Sequence, residues 1–287
     1  MIAIDYKDCR AAPEGVLLEG VGCFSLPEIL DCGQAFRWRA IGEDSYEGVA
    51  CDRFLRLSME GDRLLFHGIG MEEFEAVWRD YFDLSRDYGA LRERLAADPV
   101  LEKAMAFAPG IRVLRQPPWE ALCSFILSQN NNIKRIKGLV ERFCDCFGEE
   151  REGIRAFPTP ERIAALEPDD LAPVRAGFRA KYLVDAARRV VSGEVSLSLP
   201  YTLPIDEARA HLMQIHGVGV KVADCALLYG FSRVECVPKD VWINRVMEQL
   251  YPDGFPEELA DVAGIAQQYL FHYARCCPDA LAARGAK

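Results

Sequence analysis

The period of the hydrophobic pattern changes once along this chain, near residue 72, and that change restricts the fold more than any other feature. Upstream, residues 36–41, 46–51, 54–59 and 63–67 show partial alternation of apolar and polar side chains, with turn-forming stretches at 42–45, 52–53 and 60–62 between them. Alternation places one face of each segment on a core, so these segments read as an antiparallel meander. From Glu72 onward the apolar residues recur at helical spacing: Phe74, Val77, Trp78 and Phe82 share a face, and Leu91, Leu95 and Leu101 continue it. The expected fold class is α+β: an N-terminal antiparallel β-sheet domain with flanking helices over residues 1–95, packed on a mostly α-helical domain over 96–287.

Size and composition agree with a globular protein. The 287 residues, half of them hydrophobic, can enclose one large or two modest cores. No apolar run approaches the roughly 18–20 residues a membrane helix needs, and the first residues lack the basic and apolar regions of a secretion signal. The expected location is cytoplasmic, with the nucleoid in a bacterium or in the nucleus of a eukaryote, and no membrane partner is expected. The eleven cysteines are odd in number, so they cannot form a complete set of disulfides. Neither Cys144 with Cys146 nor Cys276 with Cys277 has the CxxC spacing of zinc sites, and no tight run of four suits an iron–sulfur cluster. They read as free thiols behaving as small hydrophobes.

Helix punctuation is dense in the second part. Pro117-Pro118 opens a helix that breaks at 128–132, where three consecutive asparagines do not suit a helix interior. Thr159 followed by Pro160 is an N-cap with proline at the first helical position. A further helix starts after Pro204, runs to Ile215-His216, stops at Gly217-Val218-Gly219 and restarts through Lys221 to Gly230. Paired glycines let the amides at the start of the second helix point outward, a ready site for a phosphate oxygen. A purely structural αα-corner needs glycine for the same steric reason. What makes the stretch specific is the company it keeps: Lys221 directly after the hairpin and Asp240 nineteen positions further on.

With those residues in place, the chain resembles the 8-oxoguanine DNA glycosylase/lyases of the helix-hairpin-helix (HhH-GPD) superfamily. The resemblance covers nearly the whole chain, from Cys32-Gly33-Gln34-Ala35-Phe36-Arg37-Trp38 to Gly264-Ile265-Ala266-Gln267-Gln268-Tyr269-Leu270-Phe271. Its most specific stretches are Ser124-Phe125-Ile126 with Ser128-Gln129-Asn130-Asn131-Asn132-Ile133, and the hairpin with Lys221 and Asp240. It implies a base-excision repair enzyme that flips out and removes 8-oxoguanine opposite cytosine, then nicks the strand by β-elimination through a lysine Schiff base.

The resemblance also implies a role for each site residue. Lys221 is the nucleophile and Asp240 completes the catalytic site. A lysine attacks only as the neutral amine, which favours partial desolvation and a nearby positive helix end, and Lys221 has both an apolar Val220/Val222 setting and a helix start. The backbone carbonyl of Gly33 accepts from the N7–H that distinguishes the lesion from guanine; an opposed lone pair there costs a few kcal/mol. Gln267 reads the Watson–Crick edge, and Phe271 and Cys225 sandwich the base. Phe178 is the duplex wedge, where the family more often has tyrosine, and Asn130, Arg135 and Arg179 hydrogen-bond the orphaned cytosine. Gly217, Val218 and Gly219 hold a DNA phosphate, and the carbonyls of Met213, Ile215 and Val218 hold a structural monovalent or calcium ion. No cofactor is required, the partner is double-stranded DNA with 8-oxoguanine opposite cytosine, and the protein is expected to act as a monomer. One departure is Trp242, where better-known members carry histidine two residues after the aspartate; Lys239 is an extra charge with no assigned role.

Two other readings remain open at this level. Another glycosylase of the superfamily would act on oxidised pyrimidines or alkylated purines, but the first lacks its cysteine cluster here and the second has no use for an amine nucleophile. A catalytically inert module would use the hairpin only to hold phosphate. Charge distribution separates none of these, yet it is informative: the formal net charge is −10, while 128–142 carries four basic residues against one acidic and 174–190 carries five against one. DNA affinity is expected to rest on those local segments, with a shallow salt dependence.

Overall fold

The computed structural model describes residues 5–279. Six strands form one antiparallel sheet in the order β1-β2-β6-β5-β4-β3: β1 (Asp8–Ala12), β2 (Gly15–Glu19), β3 (Trp38–Gly42), β4 (Ser45–Ala50), β5 (Arg53–Glu60) and β6 (Arg63–His67). Register follows from the alternation. Leu57 pairs with Tyr46 on one side and Phe66 on the other, which lines Leu55, Leu57, Leu64, Phe66, Val16 and Leu18 on the buried face. Phe54 and Arg56 take the opposite face and are exposed. Two strands, β1 and β2, lie outside the predicted meander. β3 begins at Trp38 instead of Phe36, because the Phe36 ring turns away from the sheet and packs edge-on to Phe125, 5.8 Å between centroids, in the helical core.

The segment 71–81 closes the sheet's buried face as a continuous helical stretch with a π turn at Phe74–Trp78. The extra residue of the π turn lets Phe74, Trp78, Tyr81 and Phe82 all reach the sheet, where they pack tilted or edge-on against Trp38 and Phe66. The hydrophobic core accordingly divides in two. One cluster runs from Val16 to Leu84 with Leu114, and the other from Tyr88 to Ala274 with Phe36.

Among helices of eight residues or more, α1 (Tyr88–Leu95) and α2 (Pro99–Phe107) begin the second unit, each N-capped by an aspartate. The rest are α3 (Pro118–Ser128), α4 (Ile133–Phe147), α5 (Ala180–Ser192), α6 (Ile205–Leu212), α7 (Val220–Gly230), α8 (Val241–Leu250) and α9 (Ala263–Cys276). Helices α3 and α7 are buried along almost their whole length, as is α9 from Ala263 to Leu270, so these three form the centre. Helices α4 and α5 are amphipathic and cover them. The helix expected to reach Ile215-His216 ends at Leu212, and the interval to Val220 is turn. Among the described residues no helix is long and apolar enough to cross a membrane, and all eleven cysteines are free thiols.

One polar side chain ties the units together. Gln34, fully buried, donates to the carbonyls of Ile29 and Arg112 and accepts from the Leu114 amide, while its own carbonyl accepts from Gln116. Glu120, in the first turn of α3, is buried beside Arg37 and Asp52; burial pushes its carboxyl up to about 7, a rise that Arg37 opposes and Asp52 reinforces. The folded protein thus keeps a proton on Glu120 up to that pH, whereas the unfolded chain releases it near 4.5. Folding takes up a proton between those values, so stability falls as pH rises through the window and levels beyond it. In urea unfolding at about pH 5 and about pH 8 the wild type should lose on the order of 2 kcal/mol relative to Glu120→Gln between the two values; the comparison cancels the opposite contribution of His272, which burial holds down at about 4.

Candidate active site

The hairpin between α6 and α7 is set by sterics at one glycine. Gly217 has φ +82°, and a Cβ there would lie 2.5 Å from the Tyr182 ring, so only glycine fits. The turn closes with the Val218 amide donating to the Ile215 carbonyl at 3.0 Å. Ile215 and Val218 are buried, and the space in front of Gly219, the N-cap of α7, is open. The first amides of α7 therefore face outward without an intrahelical partner, as a phosphate site requires. The Met213, Ile215 and Val218 carbonyls are neutral donors, and that of Ile215 already uses one lone pair on Val218.

Lys221 occupies the first turn of α7, with Cys225 and Tyr229 following at i+4 and i+8 on the same face. Its Nζ donates to Ser128 Oγ at 3.4 Å and lies 5.5 Å from the centroid of Phe125. Ser128 spends its own proton on the Phe125 carbonyl at 2.7 Å, so it offers Lys221 a lone pair only. Asp240 is the N-cap of α8: Oδ1 accepts from the amides of Trp242 and Ile243, both at 2.9 Å. That arrangement uses one carboxylate oxygen for the helix and leaves the other for the pocket.

Lys221 and Asp240 line a common pocket with Gly33, Phe125, Cys225, Tyr229, Pro238, Gln267 and Phe271. All six residues singled out for catalysis and lesion binding are thereby brought together, although they are spread from position 33 to position 271. Phe125, Tyr229 and Pro238 were not anticipated. The signal for Tyr229 was available in the i, i+4, i+8 series from Lys221, and Phe125 stacks on it at 5.1 Å and 17°. The cavity measures about 50 Å³, room for one or two waters at roughly 30 Å³ each, so a purine enters only as the walls part.

Each wall has a definite character. Gly33 has φ +92°, and a Cβ there would sit 2.8 Å from Ile133 Cδ1 and 3.6 Å from Phe271 Cε1. Cys225 is buried, which pushes its thiol up to about 11 even with Lys221 opposing, and it presents a neutral sulfur surface. Gln267 is 4% exposed, and its Oε1 is buried with no hydrogen-bond partner. Within the protein that acceptor is free to meet a donor in the cavity.

Phe178 and its neighbours lie on adjoining segments. Phe178 is 48% exposed at the tip of a 3-10 turn, Gly177–Arg179, with the Arg179 guanidinium 4.4 Å from its ring centroid. Arg179 itself is buried. Its Nε and Nη2 donate to the Gln129 carbonyl, Nη1 to Ala176 and Nη2 also to Asn130. Four of the five N–H groups of a guanidinium are thus engaged with backbone, so the residue expected to read the orphaned base chiefly holds the loop in this state. The three asparagines divide the work of that loop. Asn130 is exposed and takes the left-handed conformation (φ +49°), Asn131 donates back to the Leu127 carbonyl, and Asn132 caps α4 by accepting from the Arg135 amide. Arg135 is exposed in the first turn of α4.

Comparison with known proteins agrees with this geometry. Residues 16–122 match the family model of the 8-oxoguanine DNA glycosylase N-terminal domain, and 123–258 that of the HhH-GPD superfamily base excision DNA repair proteins. The N-glycosylase/DNA lyase of Saccharomyces cerevisiae is 30% identical over 79% of this chain and 68% of its own length. Among solved structures, the Clostridium acetobutylicum 8-oxoguanine glycosylase/lyase, in complex with double-stranded DNA containing cytosine opposite 8-oxoG, superposes with a TM-score of 0.89 at 37% identity, covering 95% of this chain and 99% of that one. MBOgg1 in complex with a low-affinity DNA ligand gives a TM-score of 0.87 at 43% identity over 95% and 100% of the two chains. With both halves matched in order and the pocket assembled at their junction, the chain belongs to the 8-oxoguanine DNA glycosylase/lyase family of the HhH-GPD superfamily.

Proposed function

We propose that this protein removes 8-oxoguanine paired with cytosine from duplex DNA and then cleaves the abasic strand, acting as a monomer. The observation that carries the reading is the convergence of Lys221 and Asp240 on a pocket whose other walls are the Gly33 loop, Cys225, Gln267 and Phe271. All of these groups come from one chain.

The steps follow from the side chains. The flipped nucleotide enters between Cys225 and Phe271, and Gln267 supplies its unpaired acceptor to the base edge. The Gly33 carbonyl accepts from N7–H of the lesion; guanine offers a lone pair instead and is repelled. The neutral amine of Lys221 forms a bond to the sugar C1′ as the bond from C1′ to N9 breaks, and the electron pair leaves with the base. The free oxygen of Asp240 stabilises the positive character that develops on the sugar. Ring opening gives a Schiff base between Lys221 and C1′; loss of a C2′ proton then expels the 3′ phosphate, and hydrolysis returns the amine. Because Ser128 offers Lys221 only a lone pair, it holds an N–H and leaves the attacking pair of the neutral amine unobstructed. No cofactor takes part in these steps. At the hairpin, the Met213, Ile215 and Val218 carbonyls would hold a monovalent cation against the DNA phosphate; a set with no carboxylate suits that charge better than calcium.

Borohydride trapping on a duplex with one 8-oxoguanine opposite cytosine should yield a covalent protein–DNA adduct that Lys221→Gln abolishes; an active wild type that forms no adduct refutes the amine mechanism. Asp240→Asn keeps a good N-cap and should unfold within about 0.5 kcal/mol of the wild type, whereas Asp240→Ala should lose about 1 kcal/mol. Both should lower single-turnover excision by about two to four orders of magnitude. Comparing the four bases opposite the lesion should show cytosine preferred and the preference lost in Arg135→Ala; equal rates in the wild type contradict the role given to Asn130, Arg135 and Arg179.

A further inference from the structure

Helix α4 touches both readers of the base pair, and we infer that it couples them: Lys137 and Asp31 transmit the identity of the opposite base to the Gly33 loop. This rests on the reading of Arg135 and Gly33 given above and goes beyond it, since neither Lys137 nor Asp31 faces a base. Lys137 is four residues after Ile133, so the two lie on one face of α4, while Arg135 projects from another. Ile133 packs on Gly33 itself. Lys137 Nζ donates to Asp31 Oδ1 at 2.6 Å and to the Trp38 carbonyl at 3.0 Å, and so grips the chain on both sides of Gly33.

The loop has few other freedoms. Tyr46 OH donates to the second Asp31 oxygen at 2.6 Å, and Arg275 and Gln268 of α9 donate to the Asp31 and Cys32 carbonyls. Beyond Gly33, the buried Gln34 side chain is fixed to Ile29, Arg112 and Leu114. The Gly33 carbonyl is therefore placed by α4 and α9 together with Tyr46 of β4 and the backbone that holds Gln34. Arg135 is the third residue of α4, and its own amide makes the capping bond to Asn132 that holds the helix start. An orphaned cytosine that engages Arg135 fixes that start, and a wrong base leaves it displaced. A displacement near 1 Å at the reading carbonyl is enough to cost about a hundredfold in rate. Lys137 and Asp31 are positioning residues in this scheme; their ion pair is partly exposed, with side-chain exposures of 27% and 45%. Pairs so exposed contribute little to stability, so variants at either position should fold.

The test separates binding from chemistry. Dissociation constants and single-turnover excision rates are measured for 8-oxoguanine opposite cytosine and opposite adenine, and excision is also measured on guanine opposite cytosine. In the wild type the cytosine preference should appear in both quantities. In Lys137→Met and Asp31→Asn the preference in excision rate should shrink about tenfold, with the ratio of dissociation constants kept within about twofold. Discrimination against guanine should fall in parallel, and Lys137→Arg should restore both. Adding Lys137→Met to Arg135→Ala should reduce the rate preference no further. Variants that keep the wild-type rate preference overturn the coupling while leaving the base-reading roles standing; a wild type indifferent to the opposite base removes those roles, and the coupling with them.

Discussion

A guanidinium inside a protein must find acceptors for its donors, and Arg179 finds them on the broken chain between α3 and α4. Its bonds to the Gln129, Asn130 and Ala176 carbonyls join the wedge turn to that break. Much of the site hangs from this clasp. Ser128, one residue before it, accepts from Lys221; Asn132, two residues after it, starts the helix that carries Arg135 and presses Ile133 on Gly33. Removing the guanidinium would leave the Gln129 and Asn130 carbonyls without their donor, the Ala176 carbonyl keeping the Arg179 amide, and would loosen Phe178, Ser128 and the start of α4 together.

The sequence showed the parts whose signals are local. The meander from Trp38 to His67, the glycine hairpin, the Thr159 cap and the break at the asparagines are each written in a handful of adjacent residues, and each is present. The strand β1 was invisible because it is an edge strand with no buried residue and no apolar alternation to find, and β2 depends on pairing with β6 some fifty positions away. The Arg179 clasp escaped for a different reason: its acceptors are backbone carbonyls, which every residue has. Lys137 and Asp31 were likewise unremarkable charges until the fold placed them 2.6 Å apart.

The two hydrophobic cores explain why the pocket sits where it does. Gly33 lies in the sheet unit, in the segment 31–37 that precedes β3, whereas Lys221, Asp240, Gln267 and Phe271 come from the second unit. A site at such a junction takes rigidity from both sides: Gln34 on one and the buried helices α3, α7 and α9 on the other. The cavity is accordingly small, with Phe271 among its partly buried walls.

Gln267 gives this arrangement an energetic consequence. Its buried Oε1 has no partner within the protein, so any donor it meets comes from the cavity, where a water can serve. Displacing that donor by a group that presents a lone pair or an apolar edge costs about 1–3 kcal/mol. The side chain therefore filters what fills the cavity by exclusion: only an occupant with an N–H or O–H at that point takes the place of water without penalty.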